Sequence, residues 1–414
     1  MRGTDRTESG IRPLECPACG LTIEDRWRCR CGAPLRFADR PIPAGEPPSP
    51  AEFDTRAGLW AFVSFLPVGD DRADRVTLGE GLTPLVDADG GQRGSTDAGG
   101  PATDAGGKRW NASFKLEYVF PTGSFKDRGA TTTLTRAAEL GVDRVVEDSS
   151  GNAGAAIATY AARAGIDAEV YVPADAKPSK LRAIRRAGAT PVRIEGSRAD
   201  VTDACVAALS TGESGGSGKS GESGTFGEPG NGAWYASHAW NPAFFEGTAT
   251  VAYEVALQCG WNTPDAVVTP LGHGTLFLGA YWGFRRLQRA GWIDEIPRLY
   301  GAQAAGFAPV VRELHGADAA DPDGESNDVA DGIRITEPVR IDGIREAIAD
   351  TGGDAIAVTE TATTRALDRL HADGFYTEST CAVAPAALRE LRTRGAIGDD
   401  EDVVVPLTGS GLKG

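Results

Sequence analysis

Basic residues are in short supply: 42 Lys and Arg stand against 58 Asp and Glu in 414 residues, leaving a formal charge of −16 and a pI near 4.8. A surface of that sign repels phosphate, so electrostatic binding to nucleic acid or to an anionic membrane is disfavoured. Histidine is rarer still. No two of His238, His273, His315 and His371 stand at metal-ligand spacing, which argues against a catalytic metal. The chain has no run of about 18 apolar residues, and its first ten residues, MRGTDRTESG, lack the apolar stretch of a signal peptide. The expectation is a cytoplasmic protein without a membrane partner. Cysteine does not form a disulfide framework either: four crowd into residues 16–31, while Cys205, Cys259 and Cys381 stand alone.

What is present reads as a glycine-rich α/β enzyme, with 54 Gly, 41% hydrophobic and 7% aromatic residues. The length exceeds what one core usually organises, so two main domains and a small appendage are expected. Acidic residues concentrated in Gly/Asp/Ala loops suit a high-salt cytoplasm, where a strongly hydrated surface keeps proteins dispersed.

Cys16-x2-Cys19 and Cys29-x-Cys31 lie on two tight turns, each followed by a glycine (Gly20, Gly32) that can take a positive φ. Four thiolates so placed can ligate zinc tetrahedrally in a closed, structural site; reduced or redox-active cysteines are the alternative. The second pair is one residue shorter than the usual ribbon spacing.

The Pro-rich PIPAGEPPSP at 41–50 reads as a linker. Two segments, 90–107 and 211–232, are almost free of apolar residues and read as loop insertions. Between them strand and helix patterns alternate: 142–148, 151–165, 168–174 and 180–189, then strands at 266–272, 298–303 and 402–408. That alternation implies parallel sheets with crossover helices, in two α/β domains with a cleft between them.

The chemistry centres on Pro121-Thr122-Gly123-Ser124-Phe125-Lys126-Asp127-Arg128-Gly129, directly before a helical stretch. A lysine near a helix start is commonly a solvated surface residue. Here it follows an aromatic and a turn, where desolvation would lower its pKa and make it nucleophilic. A second candidate is Gly272-His273-Gly274-Thr275, between strand and helix, where exposed amides and a helix N-terminus would face an anion; a plain strand-to-helix turn is the alternative.

PTGSFKDRG resembles the cofactor-lysine motif of the threonine synthase branch of the pyridoxal-phosphate enzymes. GEGLTPL (79–85), KLE (115–117), SSGNAG (149–154), NPAFFEGTATVAYE (241–254), GAQAAGFAPV (301–310) and PLTGSGLKG (406–414) resemble further segments of that family in the same order. The resemblance implies a two-domain tryptophan-synthase-β-like fold (fold type II), with parallel and mixed sheets and the site in the interdomain cleft. It also implies a large cofactor-binding domain from 51–125 and 240–414, a small α/β domain at 126–239, and a zinc-ribbon-like segment at 1–40. A homodimer is expected on the same ground.

By the same resemblance Lys126 would carry pyridoxal 5'-phosphate as an imine and then act as base, and Asn152 would bond its phenolic oxygen. Gly272, His273, Gly274 and Thr275 would take its phosphate, and the Thr408 hydroxyl its pyridine nitrogen, unless Thr408 merely ends a strand. Ser149, Ser150 and Gly151 would hold the substrate carboxylate. Ser124, with Lys413 and Arg334, would meet a leaving phosphate. The implied reaction is conversion of O-phospho-L-homoserine and water to L-threonine and phosphate.

This sequence departs from the family in two places. His273 stands where Asn is common, in a loop one glycine short, and Phe120 and Tyr118 bring bulk where small or polar residues are usual. These leave room for a serine or threonine dehydratase, or a β-replacement enzyme of the cysteate or cysteine synthase kind. A binding module with an inactive enzyme body is disfavoured by the intact Lys126 and the net negative charge.

Overall fold

The computed structural model describes residues 11–90, 109–209 and 232–413. Apart from Gly90 and Gly232, the two expected insertions lie outside the described residues.

In chain order the strands are β1 Leu14–Glu15, β2 Thr22–Ile23, β3 Arg36–Phe37, β4 Leu85–Asp87, β5 Ser113–Lys115, β6 Arg144–Glu147, β7 Asp167–Pro173, β8 Thr190–Ile194, β9 Trp234–Tyr235, β10 Ala266–Pro270, β11 Arg298–Ala304, β12 Asp354–Val358 and β13 Val403–Pro406. The helices that matter for the site are α1 Lys126–Glu139, α2 Asn152–Ala164, α3 Pro178–Arg186, α4 Arg198–Ala207, α5 Pro242–Gln258 and α6 Thr275–Ala290. Three sheets result among the described residues. One is a small antiparallel sheet ordered β2-β1-β3, one a parallel sheet ordered β8-β7-β6-β9, and one a six-stranded sheet ordered β12-β11-β10-β13-β5-β4. In the last, only the β4–β5 pair is antiparallel.

The apolar runs explain the central strands. All five residues of β10 and all four of β13 are buried, as expected of parallel strands covered on both faces. Glycine ends the helices that feed back to the sheets: Gly165 closes α2 at φ 71° and Gly291 closes α6 at φ 73°, both left-handed positions that other residues adopt only with strain.

The chain divides into two compact units. The first is Met1–Gly45, Phe53–Gly81 and Phe120–Thr250; the second is Glu46–Glu52, Leu82–Val119 and Val251–Gly414. This places the cysteine-bearing segment with the four-stranded sheet rather than apart from it. The reason is its core: Leu14, Cys16, Cys29, Leu35 and Phe37 bury against Leu59, Trp60, Leu66, Val68 and Ala243. Three two-residue strands cannot bury enough apolar surface alone. Residues 53–81, 120–125 and 240–250, expected in the large domain, fall in the first unit, so its edges differ from an expected split at 126 and 239.

Within the first unit, α1 is held at close quarters. A Cβ on Gly129 would sit 2.2 Å from the Phe244 ring, and one on Gly247 would sit 1.9 Å from the Arg128 carbonyl oxygen. The hydroxyl of Thr132 donates to Ala243 O at 2.7 Å, and Thr135 Oγ1 accepts from the Val76 N–H at 3.0 Å. The helix bearing the candidate lysine is therefore fixed on several sides.

Candidate active site

Lys126 is the first residue of α1, and the turn before it explains why the helix begins there. Gly123 takes φ 72° and donates its N–H to Phe120 O at 2.7 Å. Asp127 accepts the Thr122 N–H at 2.8 Å and the Thr122 hydroxyl, placing a carboxylate at the positive end of the helix. Lys126 is half-buried, with its ammonium 4.1 Å from the centre of the Phe125 ring, and its N–H meets the oxygen of fully buried Ser124 at 3.3 Å. Behind the turn, the Tyr160 hydroxyl donates to Glu80 at 2.9 Å and lies 3.5 Å from Asp127. Burial pushes the Tyr160 phenol up, with the charges of Asp127 and Glu80 adding to it. The phenol therefore stays a donor.

Phe120, one of the two bulky departures from the family, is buried, and the Arg128 guanidinium lies 5.0 Å from its ring centre. Tyr118 packs part-buried against the core of the second unit.

Ser149, Ser150, Gly151 and Asn152 form the loop from β6 into α2, and all four are half-buried. Ser149 Oγ accepts the Gly151 N–H at 3.3 Å. Two residues on, a Cβ at Gly154 would sit 1.8 Å from the Ser149 carbonyl oxygen, so only glycine lets the first turn of α2 close on the loop. The strand before the loop ends in Glu147, fully buried, whose carboxylate is 2.8 Å from His238 Nδ1 and accepts the His238 N–H at 3.3 Å. Burial, with neighbouring Asp148 adding to it, holds the Glu147 carboxyl well above the usual carboxylate range. The charge of Arg198 and the His238 N–H lower it in turn, and the charge of Lys126 does so to a lesser degree. Sequence reasoning had passed over this pair. His238 has no sequence neighbour that would mark it.

The other expected cofactor residues lie in the second unit. Gly272, His273 and Gly274 connect β10 to α6, and Thr275 is its first residue. Gly274 takes φ 80° as the N-cap and caps α6 with no side chain. A Cβ on Gly272 would meet Ile333 at 3.2 Å, and one on Gly274 would meet Ile344 at 2.8 Å, so the loop runs tight over a covered floor. Such uncapped first-turn amides are the arrangement that receives phosphates. Thr408 follows β13 and is buried, its N–H meeting the sulfur of Cys381 at 3.2 Å. Burial pushes the Cys381 thiol up to about 12, the nearby charge of Glu378 adding to it, so it stays protonated. Arg334 pairs with Asp328 at 3.1 Å and lies 4.6 Å from the centre of the Phe307 ring.

Three of the motif segments meet in one buried network of the second unit. Lys115 is fully buried, with its ammonium 2.8 Å from Glu254, 2.8 Å from Gln258 and 2.6 Å from Thr83 O. The Thr83 hydroxyl donates to Glu117 at 2.6 Å. Thr83 of GEGLTPL, Lys115 and Glu117 of KLE and Glu254 at the end of the NPAFFEGTATVAYE segment are therefore structural.

The cysteines come together as the spacing required. The four sulfurs lie within 4.8 Å of one another, with Cys16–Cys31 and Cys19–Cys29 each at 3.5 Å. Gly20 and Gly32 take φ 72° and 90° and close the two turns through hydrogen bonds to Cys16 O and Cys29 O. Four sulfurs about 2.3 Å from one tetrahedral zinc ion stand about 3.8 Å apart, so the set fits a zinc ion.

Known proteins resemble this chain over most of its length. Residues 76–409 match the family described as pyridoxal-phosphate dependent enzyme. The chain is 34% identical to the threonine synthase of Methanosarcina acetivorans, over 86% of this chain and 80% of that protein. It is 32% identical to the threonine synthase of Methanocaldococcus jannaschii, over 96% of this chain and 92% of that protein. Among solved structures, maize serine racemase superposes with a TM-score of 0.58 at 21% identity, over 72% of this chain and 83% of that one. An O-ureido-L-serine synthase gives 0.58 at 18% identity, over 80% and 90%. No described helix is long and apolar enough to cross a membrane. The chain belongs to the pyridoxal-phosphate dependent enzymes and, within that family, to the lyases related to threonine synthase.

Proposed function

We propose that the chain is a cytoplasmic threonine synthase, converting O-phospho-L-homoserine and water to L-threonine and phosphate. The observation that carries this reading is the pairing of near full-length similarity to threonine synthases with a half-buried Lys126 at the head of α1. Pyridoxal 5'-phosphate, when bound, supplies an electron sink for the carbon that bears the amino group. Lys126 would hold the cofactor and, once released by the incoming amine, carry protons at Cα and Cβ of the substrate. Asn152 is assigned to its phenolic oxygen, Gly272 to Thr275 to its phosphate, and the Thr408 hydroxyl to its ring nitrogen. The Ser149–Gly151 loop is assigned to the substrate carboxylate, and Ser124 to the leaving phosphate.

The test is phosphate release from O-phospho-L-homoserine, with the amino-acid product identified, for wild type and Lys126→Ala. Lysine-dependent release with threonine formed supports the reading. A cofactor-loaded protein that releases no phosphate but deaminates serine or threonine, or replaces a β-substituent, sinks it.

A structural zinc ion on Cys16, Cys19, Cys29 and Cys31 belongs to the same proposal. Four converging sulfurs on two glycine-closed turns support it. Chelation followed by thermal melting checks it: a lowered melting temperature, restored by zinc, is expected, and an unchanged one removes the metal.

A further inference from the structure

A cavity of about 70 Å³ lies in the first unit, lined in part by the cysteine-bearing segment and by none of the candidate cofactor residues. Its floor is Arg136, in the last turns of α1 and only 1% exposed. One guanidinium nitrogen, Nη2, donates to Glu24 O at 3.0 Å and lies 3.4 Å from Asp25 Oδ1. The other two, Nε and Nη1, are buried with no hydrogen-bond partner among the described residues. Those two nitrogens carry three N–H bonds, and leaving a buried donor unsatisfied costs about 1–3 kcal/mol. Something polar is therefore wanted there.

The walls say what kind of molecule fits. Trp27, Phe37, Trp234 and Leu209 present apolar surface to the space. Trp27 is itself braced edge-on by Tyr235 and Trp240, at 5.4 and 5.0 Å between ring centres, so this wall is stiff. Asp25 offsets the charge of Arg136, and Trp234 Nε1 donates to its second oxygen at 2.8 Å. Arg26 also lines the space, which leaves one positive charge in excess. A guanidinium is planar and matches a carboxylate better than a spherical ion, and apolar walls disfavour an anion that must keep its water. The volume is about half that of a cavity known to take benzene, which limits the occupant to a few heavy atoms.

We propose that this cavity is a binding site for a small organic carboxylate with a short apolar chain, its carboxylate on Arg136 and its chain against the aromatic wall. Simple carboxylic acids and α-amino acids share that chemistry. The site stands independently of the reaction assigned to Lys126.

The experiment uses the full-length, cofactor-loaded protein, with tryptophan fluorescence and thermal melting as readouts. Butyrate, L-2-aminobutyrate and the uncharged butyramide are titrated in turn, each at fixed chloride. The cofactor's visible band is followed in parallel, so that an amine reacting at Lys126 is discounted. The expected result is a saturable change with butyrate that is at least tenfold weaker with butyramide. The change should be weakened at least tenfold in Arg136→Met and in Ala233→Leu, which fills the space. Tighter binding of L-2-aminobutyrate with the visible band unchanged assigns the amino-acid source; equal or weaker binding assigns simple acids. If Arg136→Met does not fold, Ala233→Leu decides alone. A cavity holding water only, seen as no saturable response to either acid, overturns the proposal. So does a response that Ala233→Leu leaves intact.

Discussion

The tripeptide Ser-Phe-Lys occurs twice in this chain, and the two copies have opposite fates. Ser113–Lys115 is strand β5, and Ser124–Lys126 is the turn into α1. In the strand, alternate side chains face opposite ways: Phe114 packs between Trp110 and Phe375, at 5.5 and 5.0 Å between centres, while Lys115 reaches Thr83, Glu254 and Gln258. All three N–H bonds of that ammonium have an acceptor. At the helix start, Gly123 and Asp127 shape the turn, and Lys126 is left half-buried over the face of Phe125. The same three residues thus make a structural cation in one place and a candidate nucleophile in the other. What surrounds them decides, not what they are.

The largest expected effect tests the reactive copy. Lys126→Ala should lower turnover by about a thousandfold or more, since it removes both the cofactor's attachment and the proton carrier. Its stability should stay within about 0.5 kcal/mol of wild type, as for a residue outside the core. A variant that keeps its turnover would erase the contrast between the two lysines.

The structural copy comes next. Lys115→Met should destabilise the fold by about 3–5 kcal/mol, because fully buried Glu254 loses the ammonium 2.8 Å away. Urea unfolding measures it. Adding Glu254→Leu should recover most of the loss, since apolar pairs often replace buried ion pairs without cost. If the double variant is no better than the single, Lys115 matters for something other than neutralising Glu254.

A third prediction compares Glu254, which faces an ammonium at 2.8 Å, with Glu147, which faces the His238 imidazole at 2.8 Å. Burial raises the folded-state pKa of Glu147 above its ordinary 4.5. A carboxyl so shifted keeps its proton in the folded state, so its contribution is fully present below about 4.5 and is lost as pH rises toward the folded value. Wild type should therefore lose stability relative to Glu147→Gln between pH 4.5 and neutrality, read from urea midpoints across that range. The opposite slope would mean that Glu147 is a carboxylate paired with a charged His238, and that the first unit too contains a buried ion pair.

How much of this was legible beforehand follows from the same contrast. Strands β6, β7, β10, β11 and β13 and helices α2, α3 and α6 could be read because apolar runs bounded by Gly and Pro carry their own period. Strands β4, β5 and β9 are two or three residues long, too short for a period to show. The second copy of Ser-Phe-Lys is legible because a turn precedes it and a helix follows it in sequence. The role of the first was hidden, since its meaning lies in partners such as Glu254, whose contact with Thr83 spans 171 positions. The cysteine cluster was readable because its four sulfurs sit within 16 residues of chain; the Glu147–His238 pair and the Arg136 cavity, both assembled from distant segments, were not.

The smallest expected effect asks how far the reactive lysine depends on buried support. Tyr160 donates to Glu80 at 2.9 Å and stands 3.5 Å from Asp127, the carboxylate that shapes the turn before Lys126. Tyr160→Phe keeps the ring and its volume and removes only the hydroxyl. Glu80 retains the Leu78 N–H at 2.7 Å and the Thr77 hydroxyl at 3.0 Å, so no acceptor is stranded. The cost should therefore be that of one satisfied hydrogen bond, about 0.5–1.5 kcal/mol in urea unfolding. Asp127 keeps both of its bonds to Thr122, so the turn should hold and kcat should change by less than about threefold, under 1 kcal/mol of barrier. A larger fall in kcat at that modest cost in stability would make Tyr160 a positioning residue for Lys126. The two copies of Ser-Phe-Lys would then differ less than they do here, each depending on a buried polar network, one to hold its lysine still and the other to aim it.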